Sequence, residues 1–214
     1  MSWRAKGDHY YRLAKASGYR SRAAFKLLEA IKVFKLIGPD DVVVDLGCAP
    51  GSWLQVAREV VGPGGFVLGV DLKPVEPLGF DNVKVLTADV LSDSVLEAIR
   101  AELPREADVL LSDMAPSLTG VRELDHVRQI ELARRALWLA KGLLRPSGKA
   151  LVKASQGSLF GKLLSAFKRS FRIAKPFKPK ASRPESPEIY IVGLGFRGTR
   201  RLRARGLSRS PAPA

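Results

Sequence analysis

Three aspartates that each follow a short apolar segment are the residues best placed for ligand chemistry in this sequence. Asp71, Asp89 and Asp113 come at the ends of the second, third and fourth such segments along the chain. Carboxylates accept hydrogen bonds from hydroxyl groups, and open parallel sheets bind ligands outside the carboxyl ends of their strands. If the segments are parallel strands, the three carboxylates share one rim of the sheet. The pattern predicts a hydroxyl-bearing ligand at that rim.

Two lysines lie within or beside apolar segments, where a charged group needs a partner or contact with water. Lys153 comes near the end of a fifth apolar segment, Lys149–Ala154. A charge that closes a buried strand is costly unless it is paired or faces a cleft, so we expect one of these for Lys153. Lys26 lies beside the apolar stripe of a helix predicted over 21–36. It fits either the border of a cleft or a surface lysine with a buried stem.

A glycine turn precedes this rim. The segment Val42–Leu46 is short, apolar and rich in β-branched residues, as expected for a central strand covered on both faces. Gly47 and Gly51 follow it and lead into a helical pattern. A dinucleotide fingerprint needs a third glycine where this chain has Ser52. With Asp71 at the next strand end, the turn fits an adenosyl ligand without a pyrophosphate better than NAD. An ordinary tight turn without a ligand is the alternative.

Strand and helix patterns alternate along most of the chain, which favours an α/β fold with a mainly parallel sheet. The length of 214 residues and the hydrophobic content of 46% are those of one soluble domain. The last two predicted strands, Phe171–Lys175 and Glu188–Phe196, follow one another without a long helix between them. An antiparallel last strand is therefore expected.

Local signals give further predictions. Ser21 is a plausible N-cap for the helix over 21–36, and a short helix or arm is expected over 8–18. A helix is predicted over Gly157–Phe167, and Trp138 is expected in the core of a long helix over 124–144. His9 and His126 are predicted to be surface residues.

Basic residues concentrate at the two ends of the chain. Residues 1–40 carry 9 Lys and Arg against 3 Asp and Glu, residues 41–166 carry 14 against 16, and residues 167–214 carry 13 against 2. Such segregation predicts arms that bind a polyanion, with nucleic acid favoured over an anionic membrane. We expect a basic N-terminal arm (1–20), a central domain (21–196), which the family resemblance described below makes the catalytic domain, and a basic, disordered tail (197–214). The expected phosphate contacts lie in the tail segment 168–183 and at Arg4, Lys6, Arg12, Lys15, Arg20 and Arg22.

A single cysteine, Cys48, excludes an internal disulfide and a multi-cysteine metal site. It is expected to be a small packing residue without a catalytic role, and no metal site is predicted. No apolar run has the roughly 20 residues of a membrane span, and the N-terminus lacks the apolar core of a signal peptide. The sequence therefore predicts a cytosolic protein.

Four motifs in order give the chain a resemblance to FtsJ/RrmJ-type (RlmE-like) methyltransferases over roughly residues 10–196. They are Asp45–Trp53, Ser112–Pro116, Val152–Lys153 and Glu188–Val192. The resemblance implies transfer of a methyl group from S-adenosylmethionine to a ribose 2′-hydroxyl in RNA. It implies a Rossmann-like, seven-stranded, mostly parallel sheet with its last strand antiparallel and helices on both faces. It places a catalytic tetrad on Lys26, Asp113, Lys153 and Glu188, with Lys153 as proton acceptor. It places cofactor contacts on Gly51, Trp53, Asp71, Asp89 and Asp113.

The resemblance leaves several alternatives open. A base-modifying methyltransferase usually has an aromatic residue after a proline pair at the fourth strand, and Asp113–Pro116 has none. A cofactor-free RNA-binding protein on the same fold is a further alternative. The expected partner is 23S ribosomal RNA or the large ribosomal subunit, with a uridine as acceptor and the enzyme a monomer. Transfer RNA and the ribose of an mRNA cap are the other substrates considered.

Overall fold

The computed structural model of the chain describes residues 3–198, so most of the predicted tail over 197–214 lies outside the described residues. The domain boundaries given above remain predictions. The helices are α1 (Trp3–Ala16), α2 (Ala24–Phe34), α3 (Ser52–Val61), α4 (Val95–Glu102), α5 (Arg122–Leu143) and α6 (Phe160–Ser170). The strands are β1 (Val42–Leu46), β2 (Phe66–Asp71), β3 (Val83–Thr87), β4 (Ala107–Ser112), β5 (Leu144–Ser155), β6 (Phe171–Phe177) and β7 (Glu188–Phe196).

The seven strands form one sheet in the order β3-β2-β1-β4-β5-β7-β6. All neighbouring pairs from β3 to β5 are parallel, and β7 is antiparallel to both β5 and β6. The predicted Rossmann-like fold, a mostly parallel sheet with its last strand antiparallel, is confirmed. The strand order reverses between β1 and β4, and sheets of this kind bind ligands at the carboxyl ends beside such a reversal.

Two hydrophobic cores cover the two faces of the sheet. Val44 and Leu46 of β1 belong to the core that includes Ile130 of α5, whereas Val43 belongs to the core that includes Leu27 of α2 and Leu54 of α3. Because both faces are covered, all residues of β1 are buried and the strand is a continuous apolar run interrupted only by one aspartate. Packing on both faces fixes the position of β1 in the sheet, and with it the position of the rim at the carboxyl end of the strand.

The N-terminal helix α1 packs on the domain. Ala14 is buried, and the ring of Tyr10 lies 5.5 Å from that of Phe25 on α2. The hydroxyl of Tyr19, just after α1, donates to Glu59 of α3 at 2.7 Å. Where a short helix or arm was expected over 8–18, the structure has a helix that begins earlier, at Trp3, and ends at Ala16. Within residues 3–198, no helix has both the length and the apolar character needed to cross a membrane.

Two helix starts differ from prediction. Helix α2 begins at Ala24, and no side chain caps it; the Ser21 hydroxyl instead accepts the Ala23 N–H at 3.2 Å, in the turn before the helix. Helix α6 begins at Phe160, three residues later than predicted. In the turn before α6, the Leu159 N–H donates to His126 of α5 at 3.2 Å. Local sequence signals do not predict a contact between such distant segments.

Two side chains of α5 also differ from prediction. Trp138 is 45% exposed and lies under the guanidinium of Arg135 at 4.2 Å, so it is not a core residue. His126 is half-buried rather than a surface residue, with Nδ1 2.6 Å from Ser155 Oγ. Helical periodicity assigns a side chain to a face, but it does not show where the neighbouring layer ends.

Candidate active site

A cavity of about 410 Å³ opens at the carboxyl ends of β1 to β4. The three predicted aspartates, Asp71, Asp89 and Asp113, all line it, together with Gly47 and Met114. They converge because neighbouring parallel strands end at the same rim of the sheet. Its volume lies within the range of sites for small ligands and cofactors.

The glycine turn after β1 approaches the rest of the site too closely for any side chain. A Cβ atom at Gly47 would lie 2.6 Å from Cγ of Met114, and one at Gly51 would lie 2.7 Å from the guanidinium of Arg20. Both glycines also have positive φ, 75° and 106°, which other residues rarely adopt. The turn therefore depends on glycine for its conformation as well as for its close packing.

The Asp71 carboxylate is held by two backbone groups. Its Oδ2 accepts the Ala49 N–H at 2.9 Å, and its Oδ1 accepts the Lys73 N–H at 2.9 Å. Each carboxylate oxygen has a second lone pair, so Asp71 can still accept hydrogen bonds from two ligand hydroxyls. The bond from Ala49 links the glycine turn to the end of β2, and the two bonds together fix the orientation of the carboxylate.

Two of the five predicted cofactor contacts do not line this cavity. Gly51 borders Arg20. Trp53 is buried, its indole N–H donates to the Ala23 carbonyl at 2.8 Å, and its ring lies 6.0 Å from that of Tyr190. Gly51 therefore allows Arg20 to pack closely on the turn, and Trp53 links the start of α3 to the residue before α2.

Asp45, which residue-by-residue interpretation of the sequence missed, is fully buried in β1. Neither of its carboxylate oxygens has a hydrogen-bond partner within residues 3–198. Burial raises the pKa of Asp45 well above its ordinary value, and the charges of Asp113 and Asp71 raise it further. The signal was a charged residue inside an otherwise apolar strand.

The four predicted catalytic residues form one ion-paired cluster at the edge of the cavity. Lys26 Nζ lies 2.7 Å from Glu188 Oε1. Lys153 Nζ lies 3.3 Å from Asp113 Oδ1 and 3.5 Å from Glu188 Oε2. At most 20% of any of these four side chains is exposed, so the pairs are shielded from water. The cluster places two ammonium groups and two carboxylates within reach of one small ligand group.

Tyr190, which was not predicted as a site residue, links Asp113 to Lys26 within the cluster. Its hydroxyl donates to Asp113 Oδ1 at 2.5 Å and accepts from Lys26 Nζ at 3.2 Å. Burial raises the pKa of Tyr190 well above its ordinary value, and Asp113 and Glu188 add to this, so the phenol stays neutral. The available signal was its position two residues after Glu188 on β7, which places it on the same face of the strand.

The charges within the cluster favour ionised side chains. Burial alone would lower the pKa of Lys153, but Asp113 and Glu188 outweigh burial and raise it. Burial alone would raise the pKa of Glu188, but Lys26 and Lys153 outweigh that effect and lower it. Lys153 is therefore an ammonium group at neutral pH.

Cys48 is placed as predicted, as a packing residue of the glycine turn. The thiol is buried, and it fills the space beside Gly69, where a Cβ would lie 2.7 Å from its sulfur. Burial raises the pKa of Cys48, and the charges of Asp45 and Asp71 act in the same direction. The thiol therefore stays protonated.

Arg20, one of the predicted phosphate contacts, is used within the protein. Its guanidinium donates to the carbonyls of Pro50 at 2.9 Å, Glu76 at 2.7 Å and Pro77 at 3.1 Å. These bonds join the segment before α2 to the glycine turn and to the loop after β2. Through these three bonds Arg20 shapes the site, and the predicted phosphate contacts of the N-terminal segment stay a prediction.

Comparisons with known proteins agree on one family. Residues 19–196 match the FtsJ-like methyltransferase model. The chain is 48% identical over 190 residues to the ribosomal RNA large subunit methyltransferase E of Methanothrix thermoacetophila, covering 89% of this chain and 73% of the relative. It is 42% identical to the protein of the same name from Methanothermobacter thermautotrophicus, covering 92% and 94%. A crystal structure of a ribosomal RNA methyltransferase from Plasmodium falciparum superimposes with a TM-score of 0.74 at 30% identity, covering 84% of this chain and 100% of that one.

Proposed function

The chain belongs to the FtsJ-like methyltransferase family, and we propose that it methylates a ribose 2′-hydroxyl of large-subunit ribosomal RNA, using S-adenosylmethionine. The cluster of Lys26, Asp113, Lys153 and Glu188 beside the aspartate-lined cavity is the observation that supports this best. A neutral hydroxyl is a poor nucleophile and needs groups that orient it and take its proton. A uridine of the 23S RNA is the acceptor we propose.

The residues of the cavity fit the proposed cofactor. Asp71 has lone pairs for the two ribose hydroxyls, and Asp89 is proposed as a second polar contact to the adenosyl part. The cavity-lining Asp113 provides negative charge that would balance a cationic ligand. Gly51 and Trp53 are proposed to act by holding the turn. S-adenosylmethionine supplies an electrophilic methyl group on a sulfonium centre when it is bound.

We propose that Lys153 orients the acceptor oxygen as an ammonium donor. Its raised pKa makes it a poor base at neutral pH, which argues against the role of proton acceptor that the family resemblance implied. A hydroxyl held by the Lys153 ammonium would lie beside the carboxylates of Asp113 and Glu188, since both contact that ammonium. Either carboxylate could then take the hydroxyl proton late, once the new bond between oxygen and the methyl carbon is forming. Positioning then supplies much of the acceleration.

The pH dependence of turnover distinguishes these two roles of Lys153. With an orienting ammonium, kcat is expected to stay level between about pH 7 and 9, because Lys153 has a raised pKa and Glu188 a lowered one and neither changes charge there. A base would need the deprotonated lysine, so log kcat would rise with a slope near one over the same range. Single-turnover rates at saturating RNA and cofactor measure this, and a rising line would contradict the orienting role.

RNA binding is proposed to depend on the basic ends, with the protein acting as a monomer. Removing residues 199–214, which contain five arginines, is expected to weaken RNA binding and to flatten its salt dependence. Every phosphate that the shortened protein no longer neutralises should reduce the slope of log affinity against log salt by about 0.7–0.9. Filter binding at several salt concentrations compares the full chain with the truncated one, and cofactor affinity serves as the control. Identical slopes would show that this segment does not contact RNA.

Methyl transfer to total cellular RNA tests the proposed function. Purified protein is incubated with labelled S-adenosylmethionine and RNA from cells that lack the enzyme, and the RNA species are then separated. We expect label in large-subunit RNA at a single nucleotide. Label confined to transfer RNA or to mRNA would overturn the proposed substrate, and no label in any RNA or ribosomal subunit would overturn the proposed activity.

A further inference from the structure

A second cavity of about 410 Å³ lies on the other side of the ion-paired cluster. Lys153 and Glu188 line it, and Ala115, just after β4, lines both cavities. Asp113 lines the first cavity and pairs with Lys153. The two cavities therefore adjoin at the cluster. An in-line displacement needs donor and acceptor on opposite sides of the transferred group, and adjoining cavities meet that need.

The second cavity has an apolar lip. Leu118 lines it and is 81% exposed. The turn after Leu118 is fixed, because the Asp125 carboxylate accepts the backbone N–H groups of Thr119 at 2.8 Å and Gly120 at 3.2 Å. A large apolar side chain held at the mouth of a cavity is available to contact a ligand there. Pro116 adds a second apolar group to the same wall. The flat face of an unstacked nucleobase fits a wall of this kind.

The Ser155 hydroxyl, which lines the same cavity, is oriented by a histidine. His126 Nδ1 lies 2.6 Å from Ser155 Oγ, and the Leu159 N–H donates to His126 Nε2 at 3.2 Å. Since Nε2 accepts, the proton of the neutral ring is on Nδ1 and is donated to Ser155. A Cβ atom at Gly157 would lie 2.6 Å from the imidazole, so the ring is also packed in place. The Ser155 hydroxyl therefore retains its own hydrogen for a ligand.

The position of Ser155 relates this hydroxyl to the cluster. Ser155 ends β5 two residues after Lys153, and it is paired in register with Glu188 on β7. Two residues along a strand span about 7 Å, which is within the length of one nucleoside. A ribose at Lys153 and Glu188 would therefore leave its base within reach of Ser155.

Resting on the function proposed above, we propose that the second cavity holds the base of the acceptor nucleotide. Leu118 packs on the face of the base, and Ser155, positioned by His126, bonds to its polar edge. Specificity for the acceptor base is then set by residues outside the cofactor cavity and outside the ion-paired cluster.

Kinetics of matched variants test this assignment. Ser155→Ala and Leu118→Ala are each expected to lower kcat/KM for RNA about tenfold, mainly through KM, as when a single interaction with the ligand is removed. Ser165→Ala removes an exposed hydroxyl of α6, and Val33→Ala removes a side chain of α2 that is 56% exposed; both should behave as wild type. His126→Ala should match Ser155→Ala, and the double variant should be no slower than either, because His126 acts through Ser155. Thermal unfolding and cofactor affinity check that each variant is folded.

Base preference gives the deciding readout. Once the methylated nucleotide is mapped, RNA fragments with each of the four bases at that position are compared. Ser155→Ala should reduce the ratio of kcat/KM between the preferred base and the other bases about tenfold. A purely structural role of Ser155 would leave that ratio unchanged. An unchanged preference, or variants that match their controls, would overturn the assignment while leaving the methyltransferase activity in place. Absence of RNA methylation by the wild type would instead overturn the proposed function and this inference with it.

Discussion

Replacing Lys153 by alanine is expected to slow methyl transfer by a factor of about 10²–10⁴ while cofactor affinity stays near that of the wild type. The lysine is the one cation of the cluster that contacts both Asp113 and Glu188, and it lines the proposed acceptor cavity. It does not line the cofactor cavity. The loss should therefore appear in kcat at saturating RNA, and single-turnover transfer measures it.

The variant should still fold, because the partners of Lys153 keep other contacts. Glu188 retains Lys26 at 2.7 Å, and Asp113 retains the Tyr190 hydroxyl. Lys149→Ala is a matched control, since Lys149 lies on the same strand and its ammonium donates to the Lys35 carbonyl away from the site. Near-normal kcat in Lys153→Ala would mean that this lysine is an ordinary charge lining a cleft.

Replacing Asp71 by alanine is expected to weaken cofactor binding by about 1.5–3 kcal/mol, the value of a hydrogen bond to a charged group. The change removes the proposed acceptor for the ribose hydroxyls. It also removes the bond from the Ala49 N–H that holds the glycine turn against β2, and the local bond from the Lys73 N–H. Isothermal titration calorimetry with S-adenosylmethionine measures the loss.

Asp81→Ala is the control for Asp71→Ala. Asp81 is an exposed aspartate in the loop after β2, and it does not line the cofactor cavity. The Asp81→Ala variant should bind the cofactor with the affinity of the wild type. If Asp71→Ala bound equally well, Asp71 would be a structural residue of the turn and the ribose assignment would be wrong.

The rim of the sheet could be predicted from the sequence because its signals are local. Val42–Leu46 is buried on both faces, and Asp71, Asp89 and Asp113 each follow a strand, so one topological rule brings them together. The contact between Lys26 and Glu188 has no such local signal. The two residues lie 162 positions apart in the sequence, and only the family resemblance had placed them in one site.

The surroundings of four polar residues were not predicted from the sequence, for two physical reasons. Asp45 and Tyr190 are polar groups inside buried strands, where periodicity assigns a residue to the core without showing what its polar atoms face. His126 and Arg20 are polar residues whose partners lie in distant segments, Ser155 in one case and Pro50 in the other. Patterns of charge and hydrophobicity do not contain such long-range hydrogen bonds.

Alkaline hydrolysis of RNA methylated by the purified protein tests the central claim most directly. Alkali cleaves RNA through the free 2′-hydroxyl of each nucleotide, so a methyl group on that oxygen protects the adjoining phosphodiester bond. With labelled S-adenosylmethionine and large-subunit RNA, the label is predicted to appear in an alkali-resistant dinucleotide. Label recovered in mononucleotides would place the methyl group on a base and would contradict the proposed 2′-hydroxyl chemistry.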